Sequence, residues 1–162
     1  MAGLKVGDSF PEGVRFTHIV PSGDDILTCG IPGPYNASAE FKNKKVIVVA
    51  VPGAFTPTCQ ASHLPSYIKN REALKAKGVD QVIVIACNDA FVMSAWGKAN
   101  GIKDDFIIFA DDSGFSKSIG WTMGERTARY AIAVDHGKVV YADKESGSGI
   151  EKSGAEAVLA SL

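Results

Sequence analysis

Short runs of apolar residues alternate along the chain with longer segments in which apolar residues recur at helical spacing. The apolar runs cover residues 45–51, 82–87 and 106–110, and their length predicts buried strands. Between them, the spacing predicts a long amphipathic helix that Gly78 ends and a second helix over residues 90–100. Strands that alternate with helices in this way indicate a βαβα unit with parallel strands.

In the long helix, the apolar side chains Ala61, Leu64, Ile68 and Leu74 are spaced to share one face. The second helix has cap residues before it at Asn88-Asp89 and a glycine after it at position 101.

The C-terminal half predicts a different arrangement, an antiparallel hairpin followed by a last helix. Residues 129–134 and 138–142 flank the turn sequence Asp135-His136-Gly137. Ser153 and Glu156 are spaced as a capping box, which predicts that the last helix begins at Ser153.

The first forty residues are rich in proline and glycine and predict turns and short edge strands, an N-terminal extension on the central unit. The whole pattern predicts an α/β domain with a central mixed sheet flanked by helices. Thioredoxin-like domains have this arrangement, and other small α/β folds share its periodicity.

Length, composition and net charge limit the classes of protein to which this chain can belong. The 162 residues are 46% hydrophobic and 22% charged, with a net charge of −1, which predicts one folded domain over residues 1–162. So small a net charge gives no overall field to attract nucleic acid or an anionic membrane. The apolar runs are far shorter than the roughly 18 residues that cross a bilayer, so we expect neither nucleic acid nor membrane as a partner.

The ends of the chain suggest a compartment. Charged residues are scattered through the first twenty positions, which does not match the hydrophobic block of a secretory signal and predicts a cytoplasmic protein. The C-terminal Ala160-Ser161-Leu162 is close to the peroxisomal Ser-Lys-Leu signal but lacks its central basic residue. Peroxisomal import therefore stays open as a weaker alternative.

Cysteine and histidine usage argues against a disulfide framework and a metal site. Three cysteines, Cys29, Cys59 and Cys87, are too few for a disulfide scaffold. The three histidines do not have the close spacing of zinc ligands, so we predict no metal and no cofactor. His63 follows Cys59 by four residues, which places it on the same helical face as an electrostatic neighbour.

The most informative segment is Pro52-Gly53-Ala54-Phe55-Thr56-Pro57-Thr58-Cys59, between the first buried strand and the long helix. Pro57 suits the first helical position, which predicts Thr56 as the N-cap and Cys59 in the first turn. There the free backbone N–H groups and the helix dipole favour the ionised thiolate. A peroxide-cleaving thiol also needs fixed donors beside the O–O bond, and Thr56 and an arginine are suitable.

This segment resembles the peroxiredoxin family. The spacing Pro52-x-x-x-Thr56-x-x-Cys59 is similar to its active-site signature, and the wider segment with His63-Leu64-Pro65 is similar to the type II, peroxiredoxin-five-like branch. The likeness extends to three later segments, so it covers most of the chain. They are Cys87-Asn88-Asp89, Phe91-Val92-Met93 with Ala95-Trp96, and Arg129-Tyr130-Ala131.

The resemblance implies a thioredoxin-like fold and the reduction of hydroperoxides, with Cys59 as the peroxidatic residue that becomes a sulfenic acid. Pro52, Thr56 and Arg129 match the other catalytic positions of the family, and the pattern selects Arg129 over Arg126. Their chemistry suits these roles, because Pro52 has no N–H and shields the thiolate, Thr56 has a hydroxyl donor, and Arg129 is permanently charged. The resemblance also implies a homodimer.

A sulfenic acid must then be attacked by another thiol. Cys29, in the turn-like stretch Thr28-Cys29-Gly30-Ile31-Pro32, is the preferred resolving candidate, because glycine and proline suggest a surface segment that can move. Cys87 ends an apolar strand, so we expect a buried structural thiol there. Neither cysteine matches the second cysteine of plant or animal relatives, and reduction by glutathione and glutaredoxin stays open beside a thioredoxin-dependent cycle.

Two other functions use the same fold or thiol. A peroxide sensor or holdase would oxidise Cys59 to switch partners instead of turning over. A thioredoxin-like disulfide reductase is disfavoured, because the helix start has no Cys-x-x-Cys pair.

Overall fold

The computed structural model describes residues 3–162, and its central feature is a seven-stranded mixed sheet. The strands stand in the order β2-β1-β5-β4-β3-β8-β9. Their bounds are β1 Phe16–His18, β2 Gly33–Tyr35, β3 Lys45–Ala50, β4 Gln81–Ala86, β5 Ile107–Asp111, β8 Tyr130–Asp135 and β9 Lys138–Lys144. A separate two-stranded sheet joins β6 Thr122–Met123 to β7 Arg126–Thr127.

The helices cover both faces of the large sheet. They are α1 Ala37–Glu40, a 3₁₀ turn Phe41–Asn43, a π-helical turn Cys59–His63 that leads into α2 Leu64–Lys69, α3 Arg71–Ala76, α4 Ala90–Ala99, α5 Phe115–Ser118 and α6 Ala155–Leu159.

The central strands are buried on both faces, because successive side chains enter two different hydrophobic clusters. Ile47 and Val49 of β3 pack in one cluster with Tyr67 and Trp96. Val46 and Val48 enter the other, which contains the aromatic side chains of the N-terminal segments and α5. This two-sided burial explains why these strands are continuous apolar runs.

The predicted strand layout is confirmed. The β3–β4 and β4–β5 pairs are parallel, β3–β8 and β8–β9 are antiparallel, and the N-terminal segment contributes β1 and β2 at one edge. The β8–β9 turn has His136 and Gly137 in the left-handed region, at φ 47° and 83°, as a tight hairpin turn requires.

The long helix after the first strand differs from the prediction in two places. Its first part is the π-helical turn, in which the Leu64 N–H donates to the Cys59 carbonyl five residues back. Asn70 then separates α2 from α3. The wider turn leaves Ala61 exposed, so its predicted place on the buried face is wrong, whereas Leu64 and Leu74 are buried and Ile68 half-buried.

The predicted capping box at the last helix is also wrong. The helix α6 begins at Ala155 with Gly154 as its N-cap. The Ser153 hydroxyl donates to Glu145 Oε1, and Glu156 Oε1 accepts from Asn70. Both side chains therefore bond to residues distant in sequence and do not cap the start of α6.

Within the part of the chain that the structure describes, no helix has the length and apolar character needed to cross a membrane.

The N-cap of α4 gives a stability prediction. The Asp89 carboxylate accepts from the Val92 N–H at 2.9 Å, so Asp89→Ala should lower the free energy of unfolding by about 1 kcal/mol. Urea denaturation at pH 7 measures this change. Asp105→Ala is the matched control, because Asp105 is exposed and caps no helix, and it should stay within about 0.5 kcal/mol of wild type. Equal losses in the two variants would contradict the capping argument.

Candidate active site

The site is built on the loop between β3 and the π-helical turn, which two hydrogen bonds from neighbouring elements hold in place. The Asn88 side chain, just after β4, accepts from the Ala54 N–H at 2.8 Å. The Thr127 hydroxyl of β7 donates to the Val51 carbonyl at the end of β3. Because these contacts anchor both sides of Pro52 and Gly53, the loop is fixed to the sheet.

Cys59 lies at the start of the π-helical turn with only 1% of its surface exposed. The Arg129 side chain, from the residue before β8, brings its NH2 group to 3.5 Å from the Cys59 Sγ atom. A sulfur accepts a long hydrogen bond from a guanidinium at this distance, and the positive charge stabilises a thiolate. The structure thus brings together two residues seventy positions apart.

His63 contacts the second terminal nitrogen of the same guanidinium. Arg129 NH1 lies 3.0 Å from His63 Nδ1, and His63 Nε2 lies 3.0 Å from the Ser153 carbonyl oxygen. A carbonyl oxygen can only accept, so Nε2 carries the proton and Nδ1 accepts from the arginine. The ring is therefore neutral and orients Arg129 toward Cys59, a more specific role than the predicted electrostatic neighbour.

The environment of His63 keeps it neutral. Its side chain is fully buried, and burial, with a further contribution from the Arg129 charge, lowers its pKa to about 4, against the opposing hydrogen bond to Ser153. A neutral imidazole can accept from a guanidinium, whereas an imidazolium has no lone pair to offer. Burial therefore maintains the form of His63 that holds Arg129.

Pro52 and Thr56 lie on the loop beside this group. Pro52 is buried, and the Thr56 hydroxyl donates to the Gly53 carbonyl at 2.6 Å. The predicted side-chain N-cap of Thr56 is absent from the described hydrogen bonds, although its carbonyl accepts from the Gln60 N–H. The hydroxyl proton stays within the loop, so the oxygen is left with lone pairs as an acceptor.

The other two cysteines are both exposed. For Cys87 this corrects the expectation of a buried thiol, because β4 ends at Ala86 and the next residue turns out of the sheet. Its Sγ lies 3.8 Å from the Pro52 carbonyl oxygen, beside the active-site loop. Cys29 lies near α4, lining a small pocket with Phe91 and Lys98.

A cavity of about 520 Å³ opens beside the site. Pro52, Thr58 and Arg129 form one wall, and residues 144–148 after β9 form another. The described side chains form no cluster of three or more potential metal ligands.

Comparison with known proteins gives the family. The Redoxin profile matches residues 5–159. A peroxiredoxin of Penicillium citrinum, Pen c 3, is 56% identical over 98% of this chain and 99% of its own length. A relative from Lipomyces kononenkoae, named as a peroxisomal peroxiredoxin, is 51% identical over 96% of this chain and 99% of its own length.

The chain belongs to the peroxiredoxin family. The crystal structure of peroxiredoxin 5 from Alvinella pompejana superimposes with a TM-score of 0.76 at 29% identity, covering 98% of this chain and 97% of that one. The predicted thioredoxin-like fold and peroxidase class are confirmed. Peroxiredoxins are thiol peroxidases, so the enzyme takes a hydroperoxide substrate and a thiol reductant.

Three supports of the candidate site do not follow from the sequence: the Asn88 side chain, the Thr127 hydroxyl and the Ser153 carbonyl. For Asn88 the sequence predicts only a helix cap, and its place directly after a buried strand is the one signal for a role at the site. The contacts of Thr127 and Ser153 span 76 and 90 residues. Only the folded chain shows them.

His63 gives a pH prediction. In the unfolded chain its pKa is near 6.5 and in the folded chain about 4, so between these values the unfolded state binds more protons and stability falls as pH decreases. From pH 7 to pH 5 this linkage removes about 2 kcal/mol. His63→Gln should lack that part of the decline.

Urea denaturation at pH 7 and pH 5 measures the difference between wild type and variant. His136→Gln is the matched control, since His136 is exposed, and it should retain the wild-type slope. Parallel pH profiles for wild type and His63→Gln would show that His63 is not held neutral by the fold.

Proposed function

We propose that Cys59 is the peroxidatic residue, and the contact between Arg129 NH2 and the Cys59 sulfur carries the proposal. The thiolate attacks the terminal oxygen of a hydroperoxide, forming the S–O bond as the O–O bond breaks. The sulfur is oxidised to a sulfenic acid, and the departing alkoxide or hydroxide is protonated to an alcohol or water. Cys59 supplies both electrons, so the reductant restores them later.

Arg129 has two tasks in this reaction. Its guanidinium stabilises the thiolate and then the negative charge that develops on the departing oxygen. His63 holds NH1 of the guanidinium, so NH2 already points at the reacting atoms. The side chain therefore loses no conformational entropy during each turnover. A fixed donor of this kind is typically more effective than one that must be ordered during the reaction.

Thr56 and Pro52 complete the site. With its proton on the Gly53 carbonyl, the Thr56 oxygen can accept a hydrogen bond from the hydroperoxide O–H and so orient the peroxide. Pro52 has no N–H to compete for the sulfur, and its buried ring limits water access. Thr56 thereby acts as an acceptor, in place of the donor role expected from sequence.

Arg129→Ala tests the mechanism. We expect the second-order rate of Cys59 oxidation by hydrogen peroxide to fall at least a hundredfold, even at a pH where the thiol is fully ionised, because a transition-state donor is lost. Stopped-flow measurement of the reduced protein under single-turnover conditions gives this rate.

Arg15→Ala is the matched control, because it removes an exposed arginine just before β1, several strands away from β8, and its rate should stay within a factor of two. Cys59→Ser gives the background rate of the assay, because it lacks the proposed nucleophile. An unchanged rate in Arg129→Ala at high pH would contradict the proposed donor, and normal turnover by Cys59→Ser would refute the assignment of the nucleophile.

For the second half of the cycle we propose Cys29 as the resolving thiol. It is exposed, and its loop contacts the body of the protein through polar bonds: Lys98 Nζ donates to the Asp25 and Thr28 carbonyls, at 3.2 and 2.6 Å. Such a surface segment can rearrange at modest cost. Since Cys87 is also exposed and lies beside Pro52, it is the competing internal thiol, and glutathione the external one.

Mass spectrometry of the peroxide-treated protein identifies the resolving thiol. We expect a Cys29–Cys59 disulfide that Cys29→Ser removes and Cys87→Ser leaves intact. A Cys59–Cys87 bond would reject Cys29, and a lone sulfenic acid would assign resolution to an external thiol. Migration on a non-reducing gel then tells whether the bond joins two subunits.

A second copy of the chain is the partner that we propose for the surface beside the site. Phe55 and Phe91 expose 53% and 49% of their surface, and Val92 is exposed as well. Phe55 also has a φ of 60°, an unfavourable conformation for a bulky residue that places its ring near Trp96. Exposed apolar side chains at a strained loop favour burial in a homodimer.

The reductant and the compartment complete the proposal. Glutathione with glutaredoxin, or thioredoxin, regenerates the thiol, and the disulfide result above separates a two-cysteine cycle from a one-cysteine cycle. We propose a cytoplasmic enzyme. The peroxisomal name of the Lipomyces relative supports peroxisomal import as the alternative.

A further inference from the structure

The cavity beside Cys59 is far larger than the smallest peroxide needs. Its volume is about 520 Å³, whereas a molecule the size of water occupies about 30 Å³ in the liquid. Hydrogen peroxide, with two oxygens, would leave most of that space to solvent. The cavity therefore has room for an organic molecule beside Arg129, the residue that contacts the Cys59 sulfur.

The lining of the cavity is mixed in character. Pro52, Met123 and Ala128 supply apolar contacts. Hydroxyl groups come from Thr58, Thr122, Ser146 and Ser148. Beside the Arg129 guanidinium, Lys144 supplies an ammonium group and Glu145 a carboxylate. Such a lining suits a molecule with an apolar or peptide-like body and a polar, charged end.

Lys144 is free to bind an anion. Among the described residues no carboxylate lies within ion-pair distance of its Nζ atom. The side chains of its two acidic neighbours in sequence, Asp143 and Glu145, are bonded to other residues. Asp143 pairs with the Lys152 ammonium at 3.6 Å, and Glu145 Oε1 accepts from the Lys152 N–H, the Ser153 N–H and the Ser153 hydroxyl.

The positions of the two cations define a direction for the ligand. Arg129 faces the cavity at the wall that also carries Cys59's neighbour Thr58, and Lys144 stands in the wall formed by the end of β9. A molecule that contacts both cations would thus lie between Lys144 and the guanidinium that reaches the buried Cys59 sulfur. Electrostatic complementarity of this kind selects among substrates of similar reactivity.

We propose that this cavity binds the carboxylate of an organic molecule that reacts at Cys59, and that Lys144 is the specificity-determining residue. Two reactants have this chemistry, a carboxylate-bearing organic hydroperoxide and the tripeptide thiol glutathione. With the first, Cys59 becomes a sulfenic acid and the peroxide an alcohol. With the second, the sulfenic acid and the glutathione thiol condense to a mixed disulfide and water. The inference rests on Cys59 as the reacting sulfur.

The test for the hydroperoxide compares cumene hydroperoxide with its para-carboxylate derivative, which differs from it only in charge and the added group. In Lys144→Met the single-turnover rate with the carboxylate should fall about three- to fivefold, as expected for an exposed ion pair. The rates with cumene hydroperoxide and hydrogen peroxide should stay within a factor of two. Lys144→Arg should restore the carboxylate rate, and 0.5 M salt should reduce the difference.

The test for the thiol measures reduction of the sulfenic acid by glutathione and by its diester, which has no carboxylate, in a Cys29→Ser, Cys87→Ser background. Lys144→Met should lower the ratio of glutathione rate to diester rate by a similar factor. Lys138→Met is the control for both tests, because Lys138 lies at the opposite end of β9, and it should change neither ratio.

The outcomes separate the two ligand sources and the two proposals. A change in one test alone assigns the site to that reactant, and a change in both assigns it to both. Unchanged ratios in both tests, or equal changes in Lys138→Met, would overturn the role of Lys144. Failure of the proposed function would appear differently, as hydrogen peroxide turnover that persists in Cys59→Ser.

Discussion

The site depends on the Arg129 guanidinium, which contacts the Cys59 sulfur with one nitrogen and the His63 ring with another. A sulfur with 1% exposure has lost most of its hydration, and a buried anion is costly unless a partner compensates it. The guanidinium is such a partner, because one nitrogen contacts the sulfur while the second is held by the His63 ring. Without the His63 contact, the arginine would lose its fixed direction.

The surrounding fold serves to hold this contact. The buried His63 ring donates to the Ser153 carbonyl, which also accepts from the Tyr67 hydroxyl at 2.6 Å. Ser153 is in turn held by Glu145. A chain of hydrogen bonds thus runs from the segment after β9 to the sulfur, and buried polar networks of this kind are rigid when every member has a partner.

The π-helical turn gives the active-site helix its particular form. An extra residue in the turn is locally less favourable than α-helix, yet it keeps both Cys59 and His63 buried while Ala61 faces solvent. The proline at position 65 has no N–H to donate to the Ala61 carbonyl, so the α-helical alternative already lacks one bond here. Such turns occur often at functional sites.

The three cysteines differ in their exposure to solvent. Cys59 is enclosed, whereas Cys29 and Cys87 are exposed, so the proposed peroxidatic sulfur and the candidate resolving sulfurs occupy different environments. The cavity lies at one side of the site, with Arg129 in one wall and Lys144, at the end of β9, in another.

The sequence by itself determined the parallel strands of the βαβα unit, the late hairpin and the cap of α4, and it identified the segment that we propose as the active site. These features depend on periodicity and on neighbours a few positions apart, which a linear pattern records. Tertiary structure alone decided that Arg129 meets Cys59, that His63 is buried and neutral, that Cys87 is exposed and that Ser153 does not cap α6. The reason is physical: these outcomes depend on partners tens of residues away, whose positions follow only from the packing of the sheet and its helices.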